Sequence, residues 1–301
     1  MNTHHSRIKS TAEDKVFNVL VLFFSVIVLI CTVYPFYYVI IMSFNDGYDS
    51  LRGGIFFWPR QFTLSNYTQF LTDSKWLHGI LITVAKTVVG ATLTVLFTCM
   101  VAYGLSMKEL LFKKTYNVIL LICMYFSGGL IPYYLTMMSY GILDTFWVYV
   151  IPTMFSTYYC ILAASFFKEI PASIGESARL DGAGELTIFF RFVLPLSKAL
   201  LATLALFAAV SQWNSWTDTA FYTPGNKSLR TLAFLLRDVI VRNQTATASR
   251  QTMMHAAEDL HTTSSSVQMA AMIIAVLPIT CVYPFLQKYF VKGIMLGAVK
   301  G

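Results

Sequence analysis

Long apolar stretches separated by short polar segments are the dominant pattern of this chain. A bilayer core of roughly 30 Å needs about 20 apolar residues per helix, and six stretches meet that length. Because lipid offers backbone N–H and C=O groups no water, such stretches form helices. The pattern predicts an all-α membrane protein with spans at residues 16–44, 79–107, 116–138, 145–167, 196–217 and 267–290.

The polar segments define the domain organisation. We expect one transmembrane domain over 16–290, flanked by polar tails at 1–15 and 291–301. Two connecting segments are long, 168–195 and 218–266. In the second, helical spacing over 229–241 indicates a helix that either lies at the membrane surface or covers a pore mouth, with its apolar face formed by Leu232, Leu235, Leu236 and Val239.

Composition supports membrane insertion. Hydrophobic residues make up 56% of the chain and charged residues 12%, whereas soluble domains carry about 25% charged residues. The first stretch follows Arg7, Lys9 and Lys15 but is longer than the apolar region of a signal peptide, about 7–15 residues, so we expect a retained helix.

The distribution of Lys and Arg predicts the orientation, because cytoplasmic segments carry an excess of these residues. Six spans place thirteen of them on the side that holds both tails and the segment 168–195, and eight on the other side. We therefore expect the N- and C-termini and 168–195 to be cytoplasmic, and 218–266 to be external. Anionic lipid headgroups account for the net charge of +7, so no nucleic-acid partner is expected.

The sequence offers no catalytic or metal-binding set. All five cysteines lie in apolar stretches without paired spacing, and we interpret them as small buried hydrophobic residues. The five histidines are scattered over tails and loop edges. No G-x-x-x-x-G-K-[ST] phosphate loop is present, so we expect no ATP hydrolysis by this chain.

The segment 168–195 has the markings of a short folded element. Pro171 opens it, and Ser173 with Glu176 has the spacing of a capping box. About two helical turns would follow to Asp181, and Gly182 suits the left-handed position after a helix. Two interpretations remain open on this evidence: a surface for a docking partner, or an ordinary amphipathic connector at the membrane.

A family resemblance favours docking. The spacing E-S-A-x3-G-x9-F-x-L-P, from Glu176 to Pro195, resembles the E-A-A-x3-G-x9-I-x-L-P signature of permease subunits of binding-protein-dependent ABC importers. Ser177 and Phe192 are mild departures from it. Further stretches, including FSGGLIPYYL (126–135) and YPFLQKYFVKGIMLGAVKG (283–301), resemble the carbohydrate-uptake branch. There the chain is similar to the second permease of maltose-type transporters, and closer to oligo- and polysaccharide permeases, including the alginate importer.

The resemblance implies a fold, a mechanism and partners. The fold is a six-helix permease bundle with a cytoplasmic coupling helix that docks in a cleft of an ATPase subunit. The implied partners are a second homologous permease, two ATPase subunits that bind ATP and Mg, an extracytoplasmic sugar-binding protein and the bilayer of the bacterial inner membrane. Leu194 and Pro195 would fix the return of the coupling segment, whose docking element would comprise Glu176, Ser177, Ala178, Asp181 and Gly182.

Several other residues are candidates for a translocation pathway. Lys86 lies inside the second stretch, where a charge is costly unless it is paired or hydrated. It would either contact an anionic sugar or have a structural role, by bonding a carbonyl of a neighbouring helix or by snorkelling to the interface. Four further residues lie near one end of the fifth stretch: Gln212, Trp213, Asn214 and Trp216. They would either line the translocation pathway or belong to an aromatic belt at the membrane interface. Gly128, Gly129 and Pro132 interrupt the third stretch and favour a kink, close packing or a break.

The sequence therefore predicts a permease subunit of an ATP-driven importer for an oligo- or polysaccharide, with alginate- or uronate-type sugars as one option. The alternative is an ion-coupled secondary sugar transporter. Such carriers often bury several carboxylates in their spans, whereas Asp and Glu lie mostly in loops and ends here. A membrane-embedded enzyme would need convergent polar residues inside the spans, which the sequence does not show.

Overall fold

The computed structural model describes residues 12–245 and 262–298, and most residues in these ranges are helical. Within them the only β pairing is a single bridge between Asn45 and Phe62. The α-helices, in chain order, are α1 (Ala12–Ser43), α2 (Gly47–Arg52), α3 (Ser65–Thr72), α4 (Ser74–Ser106), α5 (Lys113–Tyr125), α6 (Leu130–Ser139), α7 (Thr157–Phe167), α8 (Ala172–Leu180), α9 (Glu185–Ile188), α10 (Leu194–Leu196), α11 (Lys198–Asn214), α12 (Thr217–Tyr222), α13 (Leu232–Thr245) and α14 (Ser264–Ala298).

Among the described residues, three helical stretches are long and apolar enough to cross a membrane unbroken: Glu13–Ser43, Ser74–Ser106 and Ser264–Val282. Three further candidates are bent pairs of shorter helices, so the number of spans rises to six when each pair is counted once. The prediction of an all-α membrane fold is confirmed, and the six predicted spans correspond in position to these six candidates.

Two predicted spans are not continuous α-helices. The third is broken between α5 and α6, which meet at 114°, because Gly129 adopts a φ of +84° that only glycine takes without strain. The first half of the fourth consists of two 3₁₀ segments, Phe146–Tyr149 and Ile151–Thr153. Pro152 cannot donate the N–H that an α-helix needs there. A break was one of the alternatives expected for the third span, whereas the 3₁₀ start of the fourth span was not expected.

The chain divides into two compact units. The first comprises the described residues of Met1–Phe70 and Ala246–Ile273. Its helix α1 buries none of the side chains in its apolar window. A network of hydrogen bonds follows α1. In it, Asn66 Nδ2 donates to the carbonyls of Ser43 and Asn45 at 3.0 and 2.9 Å. The Asp46 carboxylate caps α2 by accepting from the amides of Tyr48 and Asp49. These bonds fix the direction in which the chain leaves α1.

The second unit, Leu71–Thr245 with Ile274–Gly301, is organised around α4, which packs against α7, α11 and α13. Small residues on α4 and α7 let the helix backbones approach closely. A hydrophobic cluster, here called the α4 cluster, joins α4, α7 and α11 to the segment 168–195. It comprises Cys99, Ala102, Leu105, Cys160, Ala163, Ala164, Phe167, Ala178, Ile188, Phe189, Val193, Leu200 and Leu204.

Two smaller predictions need correction. The helix expected at 229–241 is α13, which begins at Leu232 because a 3₁₀ turn occupies Lys227–Leu229. Leu232 and Leu235 are buried, and the Leu232 amide donates to Thr83 Oγ1 on α4 at 2.8 Å. Of the cysteines, only Cys99 and Cys160 are buried, whereas Cys31, Cys123 and Cys281 are exposed on the surface of the chain.

Gly90 on α4 gives a test of this packing. An added Cβ would lie 2.6–3.2 Å from the side chain of Gln212 on α11. We expect Gly90→Ala to displace that buried amide and destabilise the protein by about 1–3 kcal/mol, the cost of leaving buried polar groups unsatisfied. The measurement is the thermal midpoint in detergent.

Gly104→Ala, on the same helix, is the matched control, because a Cβ there meets nothing within 4 Å. It should be neutral or stabilise by up to about 1 kcal/mol through helix propensity. Equal midpoints for the two variants would contradict close α4–α11 packing at Gly90.

Candidate functional site

The segment 168–195 folds as a short helix, a tight turn and a return. Helix α8 begins at Ala172 directly after Pro171 and has no side-chain cap bond at its start. Proline suits this place because the N–H that it lacks would be unpaired anyway. Ser173 therefore already lies inside the helix, so the predicted Ser173–Glu176 capping box was wrong.

The turn at the other end of α8 agrees with its prediction. Gly182 has a φ of +83°, the left-handed conformation expected of a glycine after a helix. Its amide donates to Arg179 O at 3.0 Å, and the Ala183 amide donates to Ala178 O at 2.9 Å. This pair of bonds is a Schellman motif, which satisfies carbonyls at the end of α8 and turns the chain back sharply.

Most side chains of α8 and its turn are exposed on the surface of the chain. Glu176, Ser177 and Asp181 are exposed, and Leu180 is 89% exposed. Ala178, expected in the docking surface, is instead buried in the α4 cluster. It anchors α8 to the rest of the chain, while its small size lets α8 lie close to the core.

The return is a composite helix. It runs through α9, a π-helical segment at Phe189–Val193 and α10, then meets α11 at 86°. Ile188, Phe189 and Val193 are buried in the α4 cluster, and Leu194 packs against it. Pro195 lies in α10, just before α11 begins at Lys198.

A polar contact joins α8 to two other elements. Arg179 Nε donates to Glu185 Oε1 at 2.7 Å, and the Tyr103 hydroxyl on α4 donates to Glu185 Oε2 at 2.7 Å. Hydrogen bonds from Arg179 and then Tyr103 lower the pKa of the Glu185 carboxyl below its ordinary value. Neither Tyr103 nor Glu185 was among the predicted site residues.

Lys86 is the centre of a second polar group. Its side chain is fully buried, and Nζ donates to the Ser215 carbonyl at 3.1 Å and to Asp218 Oδ2 at 2.5 Å. The Tyr149 ring lies 4.9 Å from the same Nζ. A structural bond to a neighbouring carbonyl was one of two expectations for Lys86. The carboxylate partner was missed because Asp218 falls one residue beyond the predicted fifth stretch.

Tyr149 belongs to the same polar group. Its hydroxyl donates to Leu229 O at 2.6 Å and lies within hydrogen-bond distance of the hydroxyls of Thr219 and Thr223. It is fully buried in a segment that reads as purely apolar. Only its position three residues before Pro152, where the helix fails, gave a signal in the sequence.

The candidate pathway residues near the end of α11 are not brought together on one surface. Gln212 is buried and donates to Thr153 Oγ1 at 2.7 Å, and Trp213 Nε1 donates to Ala275 O on α14 at 3.0 Å. Asn214 is exposed, and the Trp216 ring lies 3.7 Å from the Arg237 guanidinium carbon.

A cavity of about 300 Å³ lies beside this polar group. Gln212 lines it, as do Asp218 and Ser215, together with the hydroxyl-bearing residues Thr94, Thr153, Ser156, Tyr159 and Ser211. Hydroxyls and one amide dominate its polar lining.

Across 12–245 and 262–298, no group of three or more His, Cys, Asp or Glu side chains is arranged to hold a metal ion.

Comparison with known proteins decides the family. The family described as "Binding-protein-dependent transport system inner membrane component" matches residues 95–296. The chain belongs to this family. It is therefore a transport subunit of the inner membrane and not an enzyme.

Relatives in this family match over nearly their full length. Protein LplC of Bacillus subtilis (strain 168) is 34% identical, covering 97% of both chains. The polygalacturonan/rhamnogalacturonan transport system permease protein YtcP of the same strain is 32% identical, covering 96% of this chain and 100% of the relative.

A solved structure of a bacterial ABC transporter involved in the import of the acidic polysaccharide alginate contains a similar chain. It has a TM-score of 0.85 and 27% identity, and the match covers 94% of this chain and 99% of that one. The fold of an ABC importer permease, expected from the resemblance, is confirmed. These comparisons give no support to an ion-coupled secondary carrier.

The two expectations for Lys86 are separated by a pair of variants. Lys86→Met leaves the Asp218 carboxylate without its cation, and we expect a loss of about 3 kcal/mol in stability. Lys86→Met/Asp218→Asn removes both charges and should recover most of it. The measurement is the thermal midpoint, with ATP-driven saccharide uptake measured in parallel.

A structural role predicts that uptake recovers with stability in the double variant. If stability returned but uptake of an acidic oligosaccharide stayed lost, the result would favour contact between Lys86 and the sugar.

Proposed function

We propose that this permease forms half of the translocation pathway of an ATP-driven importer for an oligo- or polysaccharide, and that α8 docks an ATPase subunit. The observation that carries the proposal is the shape of the segment 168–195. An outward-facing helix closed by a Schellman turn is held on the α4 cluster by a buried return. A partner could bind this exposed helix, and its movement would be transmitted to the α4 cluster through the return.

The docking surface is formed by Glu176, Ser177, Asp181 and the turn at Gly182, with Ala178 beneath and Leu194 and Pro195 in the return. Leu180 adds to it a large apolar side chain that nothing in the described part of the chain covers. A single exposed apolar side chain does not by itself mark an interface, so Leu180 supports docking only together with the turn at Gly182.

The nature of the cargo is supported by the relatives. Their names and titles refer to polygalacturonan and rhamnogalacturonan, melibiose, raffinose and stachyose, and alginate. We infer a saccharide cargo, with uronate-containing polymers as one candidate class. The cavity beside Gln212 supports this inference, because hydroxyl and amide groups can exchange hydrogen bonds with sugar hydroxyls.

The assembly is proposed from the same relatives. A second homologous permease completes the pathway, two ATPase subunits bind ATP and Mg, and an extracytoplasmic protein delivers the sugar. The excess of Lys and Arg on the side of both termini and 168–195 supports a cytoplasmic location for all three. ATP binding would close the ATPase pair, move the docked helices and rock the permeases between two facing states.

The direct test is uptake in proteoliposomes that contain the complete complex and its binding protein. The panel of probes consists of oligogalacturonides, alginate oligomers and raffinose. We expect uptake of at least one probe that requires internal ATP and is unaffected by collapsing ion gradients. Uptake that followed a proton or sodium gradient without ATPase subunits would reject the proposal.

Gly182→Ala tests the docking element. A residue with a Cβ pays about 1–2 kcal/mol in the left-handed conformation, so the turn should open and ATP-driven uptake should fall while membrane insertion is preserved. Co-purification of the ATPase subunit reports docking directly.

Gly184→Ala is the matched control, two residues away with a φ of −72° and open space around its Cβ position. It should behave like the parent protein. Undiminished docking and uptake in Gly182→Ala would count against the coupling role of this turn.

A further inference from the structure

Glu185 joins three elements with a single side chain. Its Oε1 accepts from Arg179 on α8, and its Oε2 accepts from the Tyr103 hydroxyl near the end of α4, each at 2.7 Å. The Tyr103 ring is itself held against Phe189, with 5.5 Å between ring centroids. The Glu185 side chain therefore connects the exposed helix α8 to the long helix α4.

Helix α8 has few other connections to the core. Ala178 is its only buried residue, and its end leads into the Gly182 turn. The return, by contrast, buries Ile188, Phe189 and Val193. A displacement of α8 can reach α4 through Ala178 and the Gly182 turn, or directly through Arg179, Glu185 and Tyr103.

The contact is poorly suited to a purely stabilising role. The Arg179 and Glu185 side chains are 42% and 47% exposed, and exposed ion pairs contribute about 0–1 kcal/mol. Its value lies in geometry, because both carboxylate oxygens are used and both partners are donors. Glutamine in its place keeps one acceptor oxygen and loses the charge, so the bond from Arg179 is weakened and the Tyr103 hydroxyl would have to change from donor to acceptor.

We propose that Glu185 is a positioning residue that transmits movement of α8 to α4 and thereby sets how much sugar is moved per ATP hydrolysed. The proposal rests on the proposed docking of α8. It assigns the coupling ratio to a contact inside the permease, separate from the surface that the ATPase would touch.

The test measures uptake and ATP hydrolysis together in proteoliposomes of the complete complex, with an oligogalacturonide as the probe. Glu185→Gln and Tyr103→Phe should each leave the ATPase rate close to that of the parent. The ratio of uptake to hydrolysis should fall about five-fold, at the low end of typical coupling between sites. Glu169→Gln, a change of another exposed carboxylate near α8, is the matched control and should keep the parent ratio.

A charge exchange separates the internal link from direct docking. Arg179→Glu/Glu185→Arg restores the ion pair in reverse, and the Tyr103 hydroxyl can accept a bond from the new guanidinium. The ratio in this double variant should exceed that of either single reversal. If Arg179 instead acted by touching the ATPase, the exchange would not rescue it, and the proposal would be overturned.

Two other results would overturn it. One is an unchanged ratio in Glu185→Gln; the other is a parallel loss of uptake, hydrolysis and ATPase co-purification, which would make Glu185 part of assembly. Either result would overturn the role of Glu185 but leave the proposed importer function intact. The importer function itself would be contradicted by a parent complex that takes up sugar without hydrolysing ATP.

Discussion

The packing of Ile188, Phe189 and Val193 against α4, α7 and α11 is the interaction on which the rest of the arrangement depends. Fully burying a side chain of this kind contributes about 1.5–3 kcal/mol, whereas the exposed Arg179–Glu185 pair contributes about 0–1 kcal/mol. The apolar contacts therefore hold the segment 168–195 in place. The polar contacts determine which way α8 points and which span it addresses.

The first half of α4 solves a different problem. A charged lysine inside an apolar helix must find compensation, and Lys86 finds it in a carboxylate, a carbonyl and an aromatic face. This arrangement ties α4 to the region that follows α11, while Tyr149 ties the 3₁₀ region to Thr219, Thr223 and Leu229. The helix that receives the coupling segment near Ser106 is thus also tied to its neighbours at Lys86, in its first half.

What the sequence could predict followed from local rules. Apolar length predicted the spans, and Gly182 followed from the need for a left-handed residue after α8. The Ser173 cap was mispredicted because Pro171 competes for the same role and starts the helix sooner. Contacts distant in sequence, such as Lys86 with Asp218 and Tyr103 with Glu185, leave no local signal, since their partners lie 132 and 82 residues apart. The family resemblance pointed to the right segment but not to this internal link.

The π-helical segment at Phe189–Val193 has a consequence for evolution of the loop. A π turn holds one residue more than an α turn, and each residue of an α-helix rotates the chain by about 100°. Because the wider turn absorbs that residue within one rotation, deleting one residue here would convert the segment to regular helix and leave the direction of α8 nearly unchanged. A deletion in the regular helices on either side would instead rotate everything before it by about 100°. The π-helical segment is therefore the place in this stretch where a change of one residue in length disturbs the position of α8 least.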